Sequence, residues 1–298
     1  MNILMIGHSQ SGKTSYMAGL YKLYGDKKDG FGLWLSDSDK RLKLQKMAEN
    51  LAKGIYPSGT DIASEYNFWL QHDNSLLIPF NWYDYRGGSL SESSSWSRDK
   101  ENLLKKIDNA DALIVFIDGA KAIHEVDEDL EDEYETLMWA IQKSLSKKSS
   151  KKGEYFPISF VFTKGDLFPS HSHLYNTPAF DYFMPFFKTI KNGDAAVGEI
   201  VVAEVTKDGV YNVYMPLMFS LNYGMHKYIN ERLSVFNREF ERYENAGWME
   251  ITFDYGDAKS ARENALSEIK KLKTLEALSE HIDQEITSWA KNDYILKF

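Results

Sequence analysis

The sequence predicts an α/β protein in three layers, a mostly parallel sheet with helices on both faces, followed by a C-terminal helical extension. Leu113–Ile117 is a continuous apolar run, as expected of a central strand buried on both faces. Strand and helix patterns alternate up to about residue 230. Beyond it, Tyr228–Glu244 and Ala258–Lys291 are strongly helical, with a short extended piece at Trp248–Phe253 between them. We therefore expect one domain over residues 1–230 and a helical extension over 231–298 that packs on it or on a partner.

The first half of the chain supplies strands and helices in alternation. Asn2–Ile6 is the predicted first strand, and a helix pattern runs from Lys13 to about Leu23. A second helix is predicted over Asp39–Lys53, because its apolar residues share one face and a glycine follows it. Tyr66–Leu70 and Leu76–Tyr83 predict a hairpin, since a short polar turn separates them.

The second half continues the alternation. A long helix is predicted over Ile123–Ser146, with acidic residues at its start and lysines at its end, as the helix dipole favours. Pro157–Phe162 is a further strand. Glu199–Val205 and Val210–Tyr214 flank an Asp-Gly turn and predict a hairpin, whose second arm we expect to continue through Met215–Ser220.

Composition limits the classes of function. The chain has 298 residues, 43% of them hydrophobic and 14% aromatic, which allows a sizeable core. Its formal net charge of −9, without a dominant basic tract, disfavours broad binding to nucleic acid. No apolar run approaches the roughly 18 residues of a spanning helix, so no membrane insertion is expected. There are no cysteines, which agrees with a reducing compartment, and we predict a cytoplasmic location.

The strongest motif is Gly7-His-Ser-Gln-Ser-Gly-Lys-Thr14, which fits G-x-x-x-x-G-K-[ST] and lies between a predicted strand and a predicted helix. Such a loop points its backbone amides and the start of the helix at phosphate groups. Lys13 is positioned to reach the β- and γ-phosphates during catalysis, and the Thr14 hydroxyl to bind Mg²⁺. The predicted phosphate-binding residues are Ser9, Gln10, Ser11, Gly12, Lys13, Thr14 and Ser15.

Two further positions suit the magnesium ion and the γ-phosphate. Asp84 ends an apolar strand in an Asp-x-x-Gly pattern, so its carboxylate can hold Mg²⁺, and the Gly87 amide can contact a γ-phosphate. Thr60, in a turn-rich segment before the hairpin, is the candidate that completes the metal shell. The predicted metal ligands are therefore Thr14, Thr60 and Asp84.

A third motif, Thr163-Lys-Gly-Asp166, follows the strand at Pro157–Phe162. A carboxylate at Asp166 accepts hydrogen bonds from N1 and the exocyclic amine of guanine, a donor pair that adenine lacks. Lys164 can lay its aliphatic stem over the base, and Thr163 can tie this loop to the phosphate loop. The motif therefore predicts a guanine nucleotide.

Together the three motifs resemble the translation-factor and Ras-like (TRAFAC) clade of P-loop GTPases. The segment around Thr60 is similar to the bacterial double-GTPase branch. The resemblance implies the Ras-like P-loop NTPase fold over roughly residues 1–230. It also implies a Ser-Ala-Lys-type loop after the last strand, whose amide contacts the guanine carbonyl. The nearest match is Ser220-Leu221-Asn222, in which Ser220 agrees and Leu221 and Asn222 depart.

The sequence departs from the Ras-like pattern at Gly88, where those enzymes usually carry a glutamine that orients water. Either hydrolysis is slow without a partner, or Arg86, Gln10 or a partner's arginine substitutes. The leading hypothesis is a magnesium-dependent GTPase that switches a protein effector or regulator. A GTP-binding module with negligible hydrolysis is the first alternative, and an ATP-using P-loop enzyme, such as a small-molecule kinase, is the second.

Overall fold

A computed structural model describes most of the chain: residues 1–25, 31–57, 64–72, 75–84, 96–148, 155–254, 256–291 and 295–297. Its main strands are β1 (Asn2–Gly7), β2 (Phe31–Leu35), β3 (Ser64–His72), β4 (Ser75–Asp84), β5 (Ala112–Ile117), β6 (Phe156–Phe162) and β7 (Ala196–Val202), with shorter ones at β8 (Glu204–Val205), β9 (Val210–Tyr211) and β10 (Ile295–Lys297). The helices are α1 (Lys13–Tyr24), α2 (Ser38–Leu51), α3 (Trp96–Asp108), α4 (Gly119–Ala122), α5 (Glu128–Leu145), α6 (Pro178–Asn192), α7 (Met215–Glu244), α8 (Trp248–Phe253) and α9 (Gly256–Lys291).

One eight-stranded sheet organises the fold, in the order β10-β7-β6-β5-β1-β4-β3-β2. The five strands from β7 to β4 in this order are parallel to one another, whereas β3, β2 and β10 join antiparallel. The predicted mostly parallel sheet is thereby confirmed, as is the hairpin of β3 and β4. Strand β2 was not predicted.

Helices cover both faces of this sheet, as predicted. On one face, buried residues of α1, α7 and α9 share a hydrophobic cluster with the sheet, Tyr16, Leu217 and Ile282 among them. On the other face, α3, α5 and α6 do the same, and Phe183 of α6 is completely buried. Among the described residues, the longest helices carry too many polar side chains for any of them to span a membrane.

The C-terminal region is helical, as predicted, and it contacts the sheet. The second half of α9 places Leu275, Leu278 and Ile286 in the same cluster as the strands, and β10 pairs with β7. The predicted boundary at residue 230 lies inside α7, which continues through it without interruption. The division into residues 1–230 and 231–298 remains a prediction.

Two predicted extended segments are helical. Met215–Ser220 begins α7, and Trp248–Phe253 forms α8. The start of α7 is buried on all sides, so its apolar residues show neither helical nor strand periodicity, and Pro216 in the first turn was the available signal. Helix α8 is only six residues long, and its N-cap is Gly247, which has no side chain to cap the helix.

One predicted helix starts later than expected, and one predicted hairpin is shorter than expected. The segment Ile123–Ser146 is not one helix: α5 starts at Glu128, because the Asp127 carboxylate accepts a hydrogen bond from the Leu130 amide. The second predicted hairpin is smaller than expected, since most of its first arm belongs to β7 and only β8 and β9 pair.

Candidate functional site

The carboxyl ends of the parallel strands meet at one edge of the sheet, and a cavity of about 430 Å³ opens there. The loop after β1 and the loop after β6 form its two principal walls. A cavity at this edge is where open α/β sheets bind ligands. Its lining includes Ser9, Gln10, Ser11, Gly12, Lys13, Thr14, Ser15, Thr163, Lys164 and Asp166, all of which the sequence predicted to bind nucleotide.

The phosphate loop presents the start of α1 to this cavity. Gly12 is the N-cap residue, with a left-handed φ of 85°, and no side chain caps the helix. A Cβ at Gly12 would lie 3.1 Å from the Thr163 Cβ, so a side chain would crowd the opposite wall. The uncapped amides and the helix dipole therefore direct positive potential into the cavity.

Lys13 lies folded over the phosphate loop. Its Nζ donates hydrogen bonds to the carbonyl oxygens of Gly7 and His8, each at 2.7 Å, and to Ser11 Oγ at 3.3 Å. Burial lowers the Lys13 pKa to about 8, and the nearby Asp84 carboxylate opposes that shift. A buried ammonium whose hydrogen-bond acceptors, two carbonyls and a hydroxyl, are all neutral is well placed to gain from an arriving phosphate anion.

The residues available for Mg²⁺ fit the ion chemically. Asp84 is buried at the end of β4, opposite Met5 of β1, and acts electrostatically on Lys13. Thr14 lines the cavity in the first turn of α1. A carboxylate and a hydroxyl supply the hard oxygen ligands that Mg²⁺ prefers. Thr60 and Gly87 lie outside the described residues, as do Arg86 and Gly88.

The loop after β6, Thr163–Asp166, is called the base loop below. Hydrogen bonds and an ion pair tie it to the phosphate loop after β1 and to the loop after β5. Thr163 Oγ1 donates a hydrogen bond to the carbonyl of Ser11 in the phosphate loop at 3.0 Å, as the sequence predicted. Lys164 Nζ lies 2.7 Å from the Asp118 carboxylate, which also caps α4. Gly119 follows Asp118, and a Cβ there would lie 1.9 Å from the Thr163 carbonyl oxygen. Asp166 is exposed on the cavity wall, so its carboxylate is available to a ligand.

The prediction that Ser220 and Leu221 follow the last strand is wrong. Both are completely buried within α7, because the apolar run from Met215 is a helix and not a strand. The loop that follows β7 begins at Ala203, whose carbonyl accepts a hydrogen bond from the Gly165 amide of the base loop. Sequence reasoning also missed several lining residues: Tyr16, Tyr56, Pro57, Leu167, Ala203 and Val205.

His8 connects the phosphate loop to α5. Its Nε2 lies 3.2 Å from the Glu133 carbonyl oxygen, and its Nδ1 lies 3.5 Å from Glu133 Oε1. Lys121 Nζ contacts the same carboxylate at 3.3 Å. Burial is the main cause that lowers the His8 pKa to about 4, with smaller contributions from Lys13 and Lys121. His8 is therefore neutral near pH 7.

This pKa predicts a loss of stability in acid. The unfolded chain protonates His8 near pH 6.5, whereas the folded protein resists protonation down to about pH 4, so stability falls as pH drops through this window. We expect His8 to account for a loss of about 2 kcal/mol between pH 7.5 and pH 5. The His8→Gln variant should lack that contribution in urea unfolding at the two pH values.

The exposed His124 provides a matched control, since His124→Gln should keep the wild-type pH dependence. Burial raises the pKa of Glu133, which works in the opposite direction, but this contribution is present in all three proteins. If His8→Gln loses as much stability in acid as the wild type does, the assignment to His8 is wrong.

The fold and the site together define a P-loop nucleotide-binding protein. The family model of Double-GTPase 1 matches residues 4–162, and the chain belongs to this family. Membership supports GTP binding. The match covers the phosphate loop and Asp84 and ends at Phe162, directly before Thr163. A search of curated proteins found no match.

Solved structures with similar folds include several GTP- or GDP-bound proteins. The signal recognition particle receptor SRb-GTP/SRX complex from Chaetomium thermophilum is 15% identical, with a TM-score of 0.41, and the alignment covers 70% of this chain and 92% of that one. A mutant of NFeoB from S. thermophilus bound to GDP is 12% identical, with a TM-score of 0.34, covering 95% and 98%. Sup35 complexed with GDP is 12% identical, with a TM-score of 0.33, covering 70% and 37%.

Proposed function

We propose that this protein is a magnesium-dependent GTPase that hydrolyses GTP to GDP and phosphate and acts as a molecular switch. The observation that carries the proposal is the shared cavity, in which the phosphate loop from Ser9 to Ser15 faces the base loop from Thr163 to Asp166. The phosphate loop serves any nucleoside triphosphate, whereas the base loop selects among bases.

Asp166 is the residue proposed to read the base. Its exposed carboxylate accepts from N1 and the exocyclic amine of guanine, and adenine offers no such pair. The Lys164 stem covers the base while its ammonium remains on Asp118, a contact that holds the side chain in one orientation. The Thr163 bond to Ser11 fixes the base loop relative to the phosphates.

Lys13 is proposed to move from the loop carbonyls to the β- and γ-phosphate oxygens when GTP binds. The ammonium then exchanges two neutral acceptors for charged ones, and these stronger hydrogen bonds stabilise the charge that develops during phosphoryl transfer. Thr14 and Asp84 would hold Mg²⁺, which neutralises phosphate charge when bound.

The switch is proposed to involve Thr60 and Gly87. Ser64, where β3 begins, pairs with Asp84, where β4 ends, and Asp84 is adjacent to β1. The chain therefore enters β3 and leaves β4 at the same edge of the sheet as the phosphate loop. A γ-phosphate at this edge would order Thr60 and Gly87, and hydrolysis would release them. A protein effector or regulator that reads these two states, and a cytoplasmic location, belong to the same proposal.

Gly88 favours a second candidate, a module that binds GTP with negligible hydrolysis, because glycine has no side chain to orient water. Gln10 is the proposed substitute on this chain: it lines the cavity, and its positive φ of 64° places it at a bend of the phosphate loop. A partner's arginine is the other source of assistance, worth on the order of 10³ to 10⁵ in rate in known systems.

Nucleotide titration in the presence of Mg²⁺ tests the proposal, with GTP, GDP and ATP competing against one fluorescent guanine nucleotide. We expect both guanine nucleotides to bind much more tightly than ATP, and a single-turnover assay to release phosphate slowly. Equal competition by ATP would refute the guanine assignment. Tight GTP binding without phosphate release, alone and with partners, would favour the non-hydrolysing module.

A further inference from the structure

The first half of α9 forms an antiparallel hairpin with α7. Asn264 Nδ2 donates a hydrogen bond to Glu239 Oε2 at 3.3 Å, and Arg232 contacts Glu268 at 3.5 Å one to two turns further along. Arg242 pairs with Asp257 at the other end of the hairpin. These contacts fix which residues of the two helices lie at the same level.

An apolar strip occupies one side of this hairpin. It consists of Leu233, Phe236 and Phe240 on α7 with Leu266 and Ile269 on α9. The exposed fractions of the four outermost side chains are 44%, 44%, 58% and 38% for Leu233, Phe240, Leu266 and Ile269. The Phe236 and Phe240 rings stack with their centroids 5.8 Å apart.

Helix geometry places four of these residues on the same side, and Phe236 lies beside Phe240, which follows it by four positions. Leu233 and Phe240 each follow by one position a residue that contacts α9, while Ile269 follows Glu268, which contacts Arg232 of α7, and Leu266 follows the buried Ala265. One position turns about 100° around a helix axis. Because the helices are antiparallel, the same step on each turns towards the same side of the pair. The strip is therefore one continuous surface, of the kind that marks an interaction site.

At one end of the strip, the two helices carry side chains of opposite charge. Glu244 lies four residues after Phe240 on the same side of α7, and Lys259 lies seven residues before Leu266 on the same side of α9. Both side chains are exposed. The acidic edge therefore belongs to α7 and the basic edge to α9, at the same level of the hairpin.

We propose that a second copy of this chain covers the strip, so that the two hairpins form a four-helix bundle. A two-fold axis parallel to the helices places α7 of one copy on α9 of the other and keeps every residue at its own level. Glu239 is level with Asn264, so Phe236 lies within about one residue rise, ~1.5 Å, of the level of Leu266 in the second copy, and the two side chains face each other. By the same rule, Leu233 faces Ile269.

The same rotation brings Glu244 of each copy opposite Lys259 of the other. One symmetry operation thus matches apolar residues with apolar ones and an acid with a base, which is the complementarity an isologous interface requires. A different protein would need its own apolar surface, a base opposite Glu244 and an acid opposite Lys259 to bind here equally well. The self-complementarity is what identifies the occupant as a second copy.

Charge exchange between variants tests this arrangement. Glu244→Lys and Lys259→Glu should each weaken dimerisation of the full chain by about tenfold or more, since each places like charges opposite one another twice per dimer. Mixing the two variants should restore dimers, because every lysine then faces a glutamate. Sedimentation velocity over a concentration series measures the dimer affinity of each variant and of their mixture. Glu231→Lys, on the other side of α7, is the control and should dimerise as the wild type does.

Leu266→Glu provides an independent test, with an expected loss of dimer affinity of about 100-fold, because it places a carboxylate of each copy against Phe236 of the other, in the middle of the apolar strip. Its GTP affinity should stay that of the wild type, since Leu266 is exposed on the hairpin, and its melting temperature should match that of the wild type at concentrations where both chains are monomeric. A wild-type chain that stays monomeric at high micromolar concentration would overturn the proposal. So would a dimer that Leu266→Glu leaves intact, or charge-exchanged variants whose mixture does not reassociate.

Discussion

Replacing Lys13 with methionine is expected to weaken GTP binding by about 100-fold or more, because the ammonium is the charged side chain that reaches the β- and γ-phosphates. Methionine keeps a long apolar stem in the buried position and removes only the charge and its donors. Without nucleotide, the lost bonds are those to the Gly7 and His8 carbonyls and to Ser11. Folding should therefore change much less than binding.

Isothermal titration of GTP in Mg²⁺ measures the change, and thermal unfolding without nucleotide checks the fold. Lys22, in the last turn of the same helix, is the matched control: Lys22→Met should bind GTP as the wild type does. A Lys13→Met variant that keeps its GTP affinity within a factor of about three would show that Nζ does not leave the loop carbonyls for the phosphates. It would also remove the main support for phosphoryl transfer at this site.

The phosphate loop could be predicted from the sequence because its chemistry is local. The residues from Gly7 to Thr14 are consecutive, and the motif fixes Gly7, Gly12, Lys13 and Thr14, whose roles follow from their spacing. These residues act at the edge of the sheet where the carboxyl ends of the parallel strands meet, as the sequence of strands and helices predicts. For the same reason the position of Asp84 beside this loop was accessible once β4 was identified as a strand.

The parts that were missed depend on contacts between distant segments. Lys164 meets Asp118 across 46 positions of the chain, and nothing in the Asp-Gly pair after β5 identifies that partner. Gly119 is small because it lies against the Thr163 carbonyl, a distance that exists only in the folded protein. Predicting either contact requires knowing that β5 and β6 are neighbours.

The error at Ser220 has a different cause. A helix buried on all sides shows the same apolar run as a buried strand, so only its length and residues such as Pro216 near its start separate the two. The six residues from Met215 suited a strand, and the helix became obvious only where its exposed residues begin, near Tyr228. The loop after β7 was therefore sought too far along the chain, beyond Ala203.

Replacing Asp166 with asparagine is expected to change which base the protein prefers. The carboxylate accepts two hydrogen bonds from guanine, whereas the asparagine amide turns one acceptor into a donor that opposes the exocyclic amine. We expect GTP affinity to fall by about 100-fold, since a donor is then left unpaired against a donor. Xanthine carries a carbonyl in place of that amine, so xanthosine triphosphate should bind the variant more tightly than the wild type.

Competition of GTP, xanthosine triphosphate and ATP against one labelled nucleotide measures the relative affinity of each protein for the three nucleotides. Asp194→Asn, at an exposed position before β7 and at the opposite edge of the sheet, should leave all three affinities unchanged. A crossed preference separates base reading from damage to the fold, because an unfolded site cannot gain affinity for a new base. If Asp166→Asn weakens GTP and xanthosine triphosphate equally, Asp166 supports the loop without reading the base. If it changes neither affinity, the guanine assignment loses its carboxylate, and only the phosphate loop is left to define the ligand.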